Sequence, residues 1–239
     1  MCIRDRLWGI PVFYGLTGKS SFGTWFQFWK THWWRALTWP IILGLVILPQ
    51  LFYWHLLTDH WVHYSYNDES FFWADPKVLK VFFSFRNGWL LYTPIMLTGL
   101  AGLFLLKKYA KPFAFIFPFT LIVAIYVISS WWCWWYGGTF GSRVFIDYYP
   151  MLAIGMGSLF TFFVSKFNSK RSIRIALGIL AFFVILNQFQ TFQYTRGIIH
   201  YDSMTPQAYF KAFGRDRRPH NQEALLDHPD YEAAKKGKR

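Results

Sequence analysis

Charge disappears from this chain in blocks. Apolar and aromatic residues fill stretches of roughly 18 to 20 positions, the length that crosses a bilayer core. A soluble helix would instead repeat them every three or four residues along one face. Such stretches occupy residues 39–57, 89–106, 113–132, 149–165 and 175–192. They predict an all-α fold, a polytopic membrane helical bundle of about five transmembrane helices with interfacial helices beside it. Pro40 and Pro49 fall inside the first span, where neighbours must satisfy the freed carbonyls. The fifth ends on Asn187, Gln188, Gln190 and Gln193, which predicts contact with protein or water at that end.

Ahead of the first span, Phe22, Trp25, Phe26, Trp29, Trp33 and Leu37 recur at helical spacing, with Gln27, Lys30, Thr31 and Arg35 opposite. Capped by Ser20 or Ser21, this segment reads as a helix lying in the interface. The organisation is therefore an amino-terminal segment (1–38), a transmembrane domain (39–192), an outer-face segment with a short helix (193–214) and a tail (215–239). In the third of these, Thr205 can cap, Pro206 suits the first helical position and Gly214 can end the helix. The tail is basic and poor in apolar residues, which predicts disorder.

Composition agrees with lipid as the solvent: of 239 residues, 54% are hydrophobic and only 15% charged. The fourteen Trp and fourteen Tyr crowd toward the span ends, as interfacial belts do. The net charge of +13 lies in short loops and in the tail, so it encodes membrane orientation and gives no case for nucleic acid. Lys107, Lys108 and Lys111 fill one loop; Lys166, Lys170, Arg171 and Arg174 fill another. Those loops are predicted to be cytoplasmic, which puts residues 59–88, 134–148 and the tail outside.

Cys2 and Cys133 suggest neither a disulfide framework nor a metal site. His55, His60 and His63 gather near the end of the first span but no further ligand completes a metal set, so no metal site is assigned there. Residues 1–6, MCIRDR, lack the apolar core of a signal peptide and resemble translated adapter sequence, an expectation under which the natural chain is longer at its amino end.

Three stretches share the outer side: YSYNDESFFW at 64–73, FSFRNGWLLYTPIM at 83–96 and SWWCWWYGGTFGSRVFIDYYP at 130–150. They resemble the carboxyl-terminal half of polytopic glycosyltransferases of the GT-C superfamily, in particular those of Bacteroidetes type. The resemblance runs from about residue 22 to 213, and WWCWWYGGTFGSR at 131–143 carries most of it. It implies transfer of a sugar, with inversion, from a polyprenyl-phosphate donor to a glycan, lipid or protein acceptor outside the bacterial inner membrane.

On that reading Arg143 holds the donor phosphate through its two-pronged guanidinium, and Gly137, Gly138 and Gly141 offer backbone N–H groups. Arg86, before Asn87 and Gly88, is a second candidate. The bland alternative is that both arginines anchor helices at the headgroups and the glycines form a turn. Asp68 and Glu69, with Trp135 and Tyr136, are candidate acceptor or sugar contacts. The two acids have a divalent metal as another partner and a solvated loop tip as the plain reading. Asp147 has the spacing to pair with Arg143. The superfamily's catalytic Asp, which sits in a first outer loop, has no counterpart here, so the fragment alone is expected to lack activity. The rival reading is a non-catalytic transporter or envelope-assembly subunit; against a transporter, the middle spans hold no ionisable side chain.

Overall fold

The computed structural model describes residues 16, 19–63, 68–167 and 169–238, so residues 1–6 and Cys2 lie outside the described part. The described residues form helices α1 (Lys19–Thr31), α2 (Trp33–Thr58), α3 (Val78–Phe83), α4 (Trp89–Tyr92), α5 (Met96–Leu103), α6 (Leu106–Tyr109), α7 (Ile116–Ser130), α8 (Tyr149–Phe167), α9 (Lys170–Thr195), α10 (Pro206–Ala212) and α11 (Tyr231–Lys235). The protein is all-helical. Four stretches are long and apolar enough to cross a membrane: Pro40–Thr58, Lys111–Ser130, Arg143–Phe167 and Lys170–Thr195. It is a multi-pass membrane protein by this architecture.

The expected span at residues 89–106 is not one helix. Thr93 leaves helical geometry, with φ −136° and ψ 61°, because the ring of Pro94 disfavours the α region for the residue before it. The chain nevertheless runs the same course in pieces. Trp89 stacks on Phe145 at 4.1 Å, Gly99 abuts Leu152 and Gly102 abuts Gly155, and the Tyr109 and Ser165 hydroxyls meet at 3.2 Å. Residues 89–109 therefore travel alongside α8 in the same direction. Both basic loops fall at one end of the bundle, the lysine face, and the tryptophan-rich segments at the other, the aromatic face.

The core lies between these segments and α7, with Trp89, Ile116, Ile128, Phe145, Tyr148 and Leu152 almost fully buried. Among the described residues helix α2 contributes none to it: Leu45, Val46 and Leu56 are among its many exposed apolar residues. Pro40 and Pro49 lie inside it, and its apolar length suits contact with lipid. Helix α1 begins at Lys19, ahead of the expected Ser cap.

The polar end of α9 faces protein as its composition requires. Asn187 Nδ2 donates to the Tyr92 carbonyl at 2.7 Å, Gln190 Nε2 to the Tyr209 hydroxyl at 2.7 Å and Gln193 Nε2 to the Ala212 carbonyl at 2.8 Å; Gln188 alone of the four is exposed. Two of these bonds hold α10, whose Thr205 hydroxyl caps Ala208 N–H and whose first position is Pro206.

The expectation of a disordered tail is corrected. Residues 215–238 fold back over the aromatic face, with a 3-10 turn at Glu223–Leu225 and then α11. Their own composition could not hold them, and the fixing contacts are distant in sequence. Gln222 is buried and its Nε2 donates to the Ile198 carbonyl at 2.5 Å. Ala234 enters the main core, and Tyr231 packs edge-on against Trp132 and Trp135.

Candidate ligand site on the aromatic face

Three loops are stitched together here before any chemistry is possible. The outer segment after residue 68 pairs with the end of α7 through Phe72 N–H to Ser130 carbonyl (2.7 Å), Lys77 N–H to Ser129 carbonyl (2.9 Å) and Trp132 N–H to Ser70 carbonyl (3.2 Å). Asn87 then acts as the rivet. It adopts φ 59°, a conformation Asn tolerates better than most residues. Its Nδ2 donates to the carbonyls of Trp135 (3.1 Å) and Tyr201 (2.6 Å). Gly88 must follow it, since a Cβ there would sit 2.3 Å from the Ser84 carbonyl oxygen.

That turn points Arg86 into a cavity of about 450 Å³ lined by Lys80, Phe83, Ser84, Trp134 and, across from them, Thr205, Pro206 and Asp227. The Arg86 guanidinium lies 5.5 Å above the Trp135 ring and donates to Asp227 Oδ2 at 2.7 Å and to the Asp227 carbonyl. Lys80 Nζ lies 5.5 Å over the Trp134 ring. The buried Trp134 indole N–H has no acceptor among the described residues. Two cations and aromatic walls in a space of ligand size suit an anionic group joined to a ring that stacks.

Arg143 is elsewhere. It is exposed at the start of a 3-10 turn, Arg143–Tyr148, and does not line the cavity. No ion pair with Asp147 forms, because the tighter turn no longer sets residues four apart on one face. Gly141 meets Arg143 backbone to backbone, its carbonyl accepting the Arg143 N–H at 3.2 Å. A Cβ on Gly137 would meet the Tyr231 hydroxyl at 2.8 Å and the Asp202 carboxylate at 3.5 Å, and one on Gly141 would meet the Tyr92 side chain at 3.2 Å. Gly138 (φ 83°) and Gly141 (φ 61°) make the turn.

Trp135 is buried between Arg86 and Tyr231, and the half-buried Tyr136 donates its hydroxyl to the Ile128 carbonyl at 3.3 Å, so both serve the scaffold. Asp68 is exposed and Glu69 half-buried, and both lie near Lys235 of α11, whose proton they help retain after Glu232. His55 stacks on Trp61 at 4.4 Å, and His60 Nδ1 meets the Thr58 carbonyl at 2.6 Å, so that histidine trio does not converge.

Sequence reasoning missed a polar network beside the cavity. Asp202, only 3% exposed, accepts from Ser203 Oγ and from Tyr231 Oη, each at 2.6 Å, with His200 Nδ1 3.2 Å away. Burial beside that carboxylate pushes the Tyr231 phenol up to about 12. Burial also lowers the His200 imidazole, against the pull of Asp202, and pushes the Cys133 thiol up to about 11, which leaves it unreactive. The only local signal was HYDS at 200–203, an ordinary loop composition whose partners arrive from the tail.

No protein-family model matches this sequence, no curated protein matches it, and no solved structure matches its fold.

Proposed function

We propose that this chain is part of a polytopic glycosyltransferase of the bacterial inner membrane that takes a sugar from a polyprenyl-phosphate donor on the outer side. The observation that carries the reading is the cavity lined by Arg86, Lys80 and the Trp134 ring at the end of the bundle opposite the basic loops. A lipid-linked donor keeps its tail in the bilayer and its phosphate at the headgroups, so its leaving-group oxygens need cations at this depth. Arg86 takes that role in place of Arg143, and the aromatic walls suit the sugar. Asp227 shields Arg86 when no phosphate is bound and gives way to one.

The test is binding of polyprenyl phosphate to the purified chain in nanodiscs, which asks nothing of a catalytic base. Lys80→Ala and Arg86→Ala are each expected to weaken binding by about 10- to 100-fold, the worth of one charge-assisted contact. Asp227→Asn, which frees Arg86, strengthens it several-fold, and Arg143→Ala leaves it unchanged. Equal affinity in all four variants, or no binding by the parent chain, would favour a non-catalytic envelope subunit. Loss in Arg143→Ala alone would return the phosphate to the glycine turn.

A further inference from the structure

We infer that His200, Asp202 and His228 form a site for one divalent transition ion, zinc fitting best, that clamps the tail to the segment leaving α9. One ligand atom from each residue lies within 4.8 Å of the other two. Two imidazole nitrogens and one carboxylate oxygen form the ligand set of a zinc centre with a fourth position open to water. The half-buried His200 and buried Asp202 come from the chain just after α9, while the exposed His228 comes from the tail.

Counting protons shows why a cation belongs there. Ser203 Oγ has a single proton, and it stands 2.6 Å from Asp202 Oδ1 and 3.0 Å from His228 Nδ1. His228 Nε2 is 3.2 Å from Glu223 Oε1. A proton donated there leaves Nδ1 as a lone pair facing the cluster. His200 Nδ1 accepts from the Asp202 backbone N–H at 3.4 Å, so its lone pair also turns inward. With the tautomers so assigned, Asp202 Oδ1 and His228 Nδ1 share one hydroxyl proton while His200 Nδ1 has only a long backbone contact, and a metal ion between the three ligand atoms satisfies all of them.

The surrounding groups are those that orient metal ligands. Glu223 fixes His228 from behind and is itself paired with Arg218. Tyr231 holds the second oxygen of Asp202. Such outer partners set ring orientation and ligand basicity. Ligand atoms of a tetrahedral zinc stand closer than 4.8 Å, so the three draw together around the ion, and His228 exchanges its contact with Ser203 for the metal. Its place on an exposed loop allows this. The inference is independent of the glycosyltransferase reading.

The experiment uses the full chain in detergent micelles, stripped with chelator and then titrated with Zn²⁺ and with Co²⁺. One zinc per chain is expected, with visible cobalt absorption of a four-coordinate site and slower proteolysis between residues 214 and 230 when metal is present. Glu223→Gln weakens zinc by about 10- to 100-fold, and His200→Ala and His228→Ala weaken it further. The triple change His55→Ala, His60→Ala, His63→Ala leaves it intact. Circular dichroism of the exposed-site variant His228→Ala guards against simple unfolding. Zinc held equally by the His200→Ala, His228→Ala double variant, zinc lost in the triple variant, or no zinc in the parent chain would each overturn the site.

Discussion

Gly102→Ala is expected to destabilise the bundle by about 1–3 kcal/mol or more, although alanine is the better helix former. The reason is distance. A Cβ on Gly102 would sit 1.8 Å from the Gly155 carbonyl oxygen, and one on Gly155 would sit 2.4 Å from the Gly99 carbonyl oxygen. Both obstacles are backbone, so no side chain can turn aside and α5 must separate from α8. Glycine lets helix backbones approach this closely in a membrane, where packing replaces the hydrophobic effect as the force between helices. The internal control is Gly178→Ala on α9, where nothing lies within 4 Å of the added carbon. That change stabilises by roughly 0.5–1 kcal/mol through reduced backbone entropy of the unfolded chain. Thermal midpoints in one detergent read both, and equal shifts for the two alanines would show that α5 and α8 are not in contact.

The same pair of helices marks the limit of what the residues disclosed. Wherever an apolar run is unbroken, as at 113–132, 149–165 and 175–192, length alone locates the span, and the helices found there begin or end within a few residues of the expected positions. At 89–106 the apolar count was equally high, but Pro94 acting on Thr93 breaks the helix after Tyr92 and a turn at Phe104–Leu105 breaks it again, while the chain keeps its path. Composition cannot see that.

The candidate cavity was legible in half. Arg86-Asn87-Gly88 could be noticed as a cation beside a turn, yet its importance comes from Asn87 joining carbonyls 48 and 114 residues away. Arg143, whose motif is the more conspicuous, does not line the cavity, and the glycines before it are spent on a turn beside Tyr92 and Asp202. The tail was misread for a related reason: low local hydrophobicity predicts disorder only if no distant surface supplies partners. Here a row of buried tryptophans and a buried carboxylate do.

Asp202→Ala, measured in chelator so that only hydrogen bonds and packing are read, is expected to release the tail. The substitution removes the acceptor that Ser203 and the part-buried Tyr231 hydroxyl share, and a net hydrogen bond to a charged group is worth about 1.5–3 kcal/mol. A five-residue helix such as α11 has almost no stability of its own, so its place on the aromatic face depends on such contacts. Residues 215–238 should become the first part cut by protease, and the fluorescence of Trp132 and Trp135 should shift to the red as Tyr231 leaves them. Tyr231→Phe removes one bond and keeps the ring contacts, so it weakens docking by only about 1.5 kcal/mol. If Asp202→Ala leaves the cleavage pattern unchanged, the carboxylate does not hold the tail. If Tyr231→Phe is as damaging as Asp202→Ala, the phenol hydroxyl alone carries the attachment, and Ser203 and His200 contribute nothing to it.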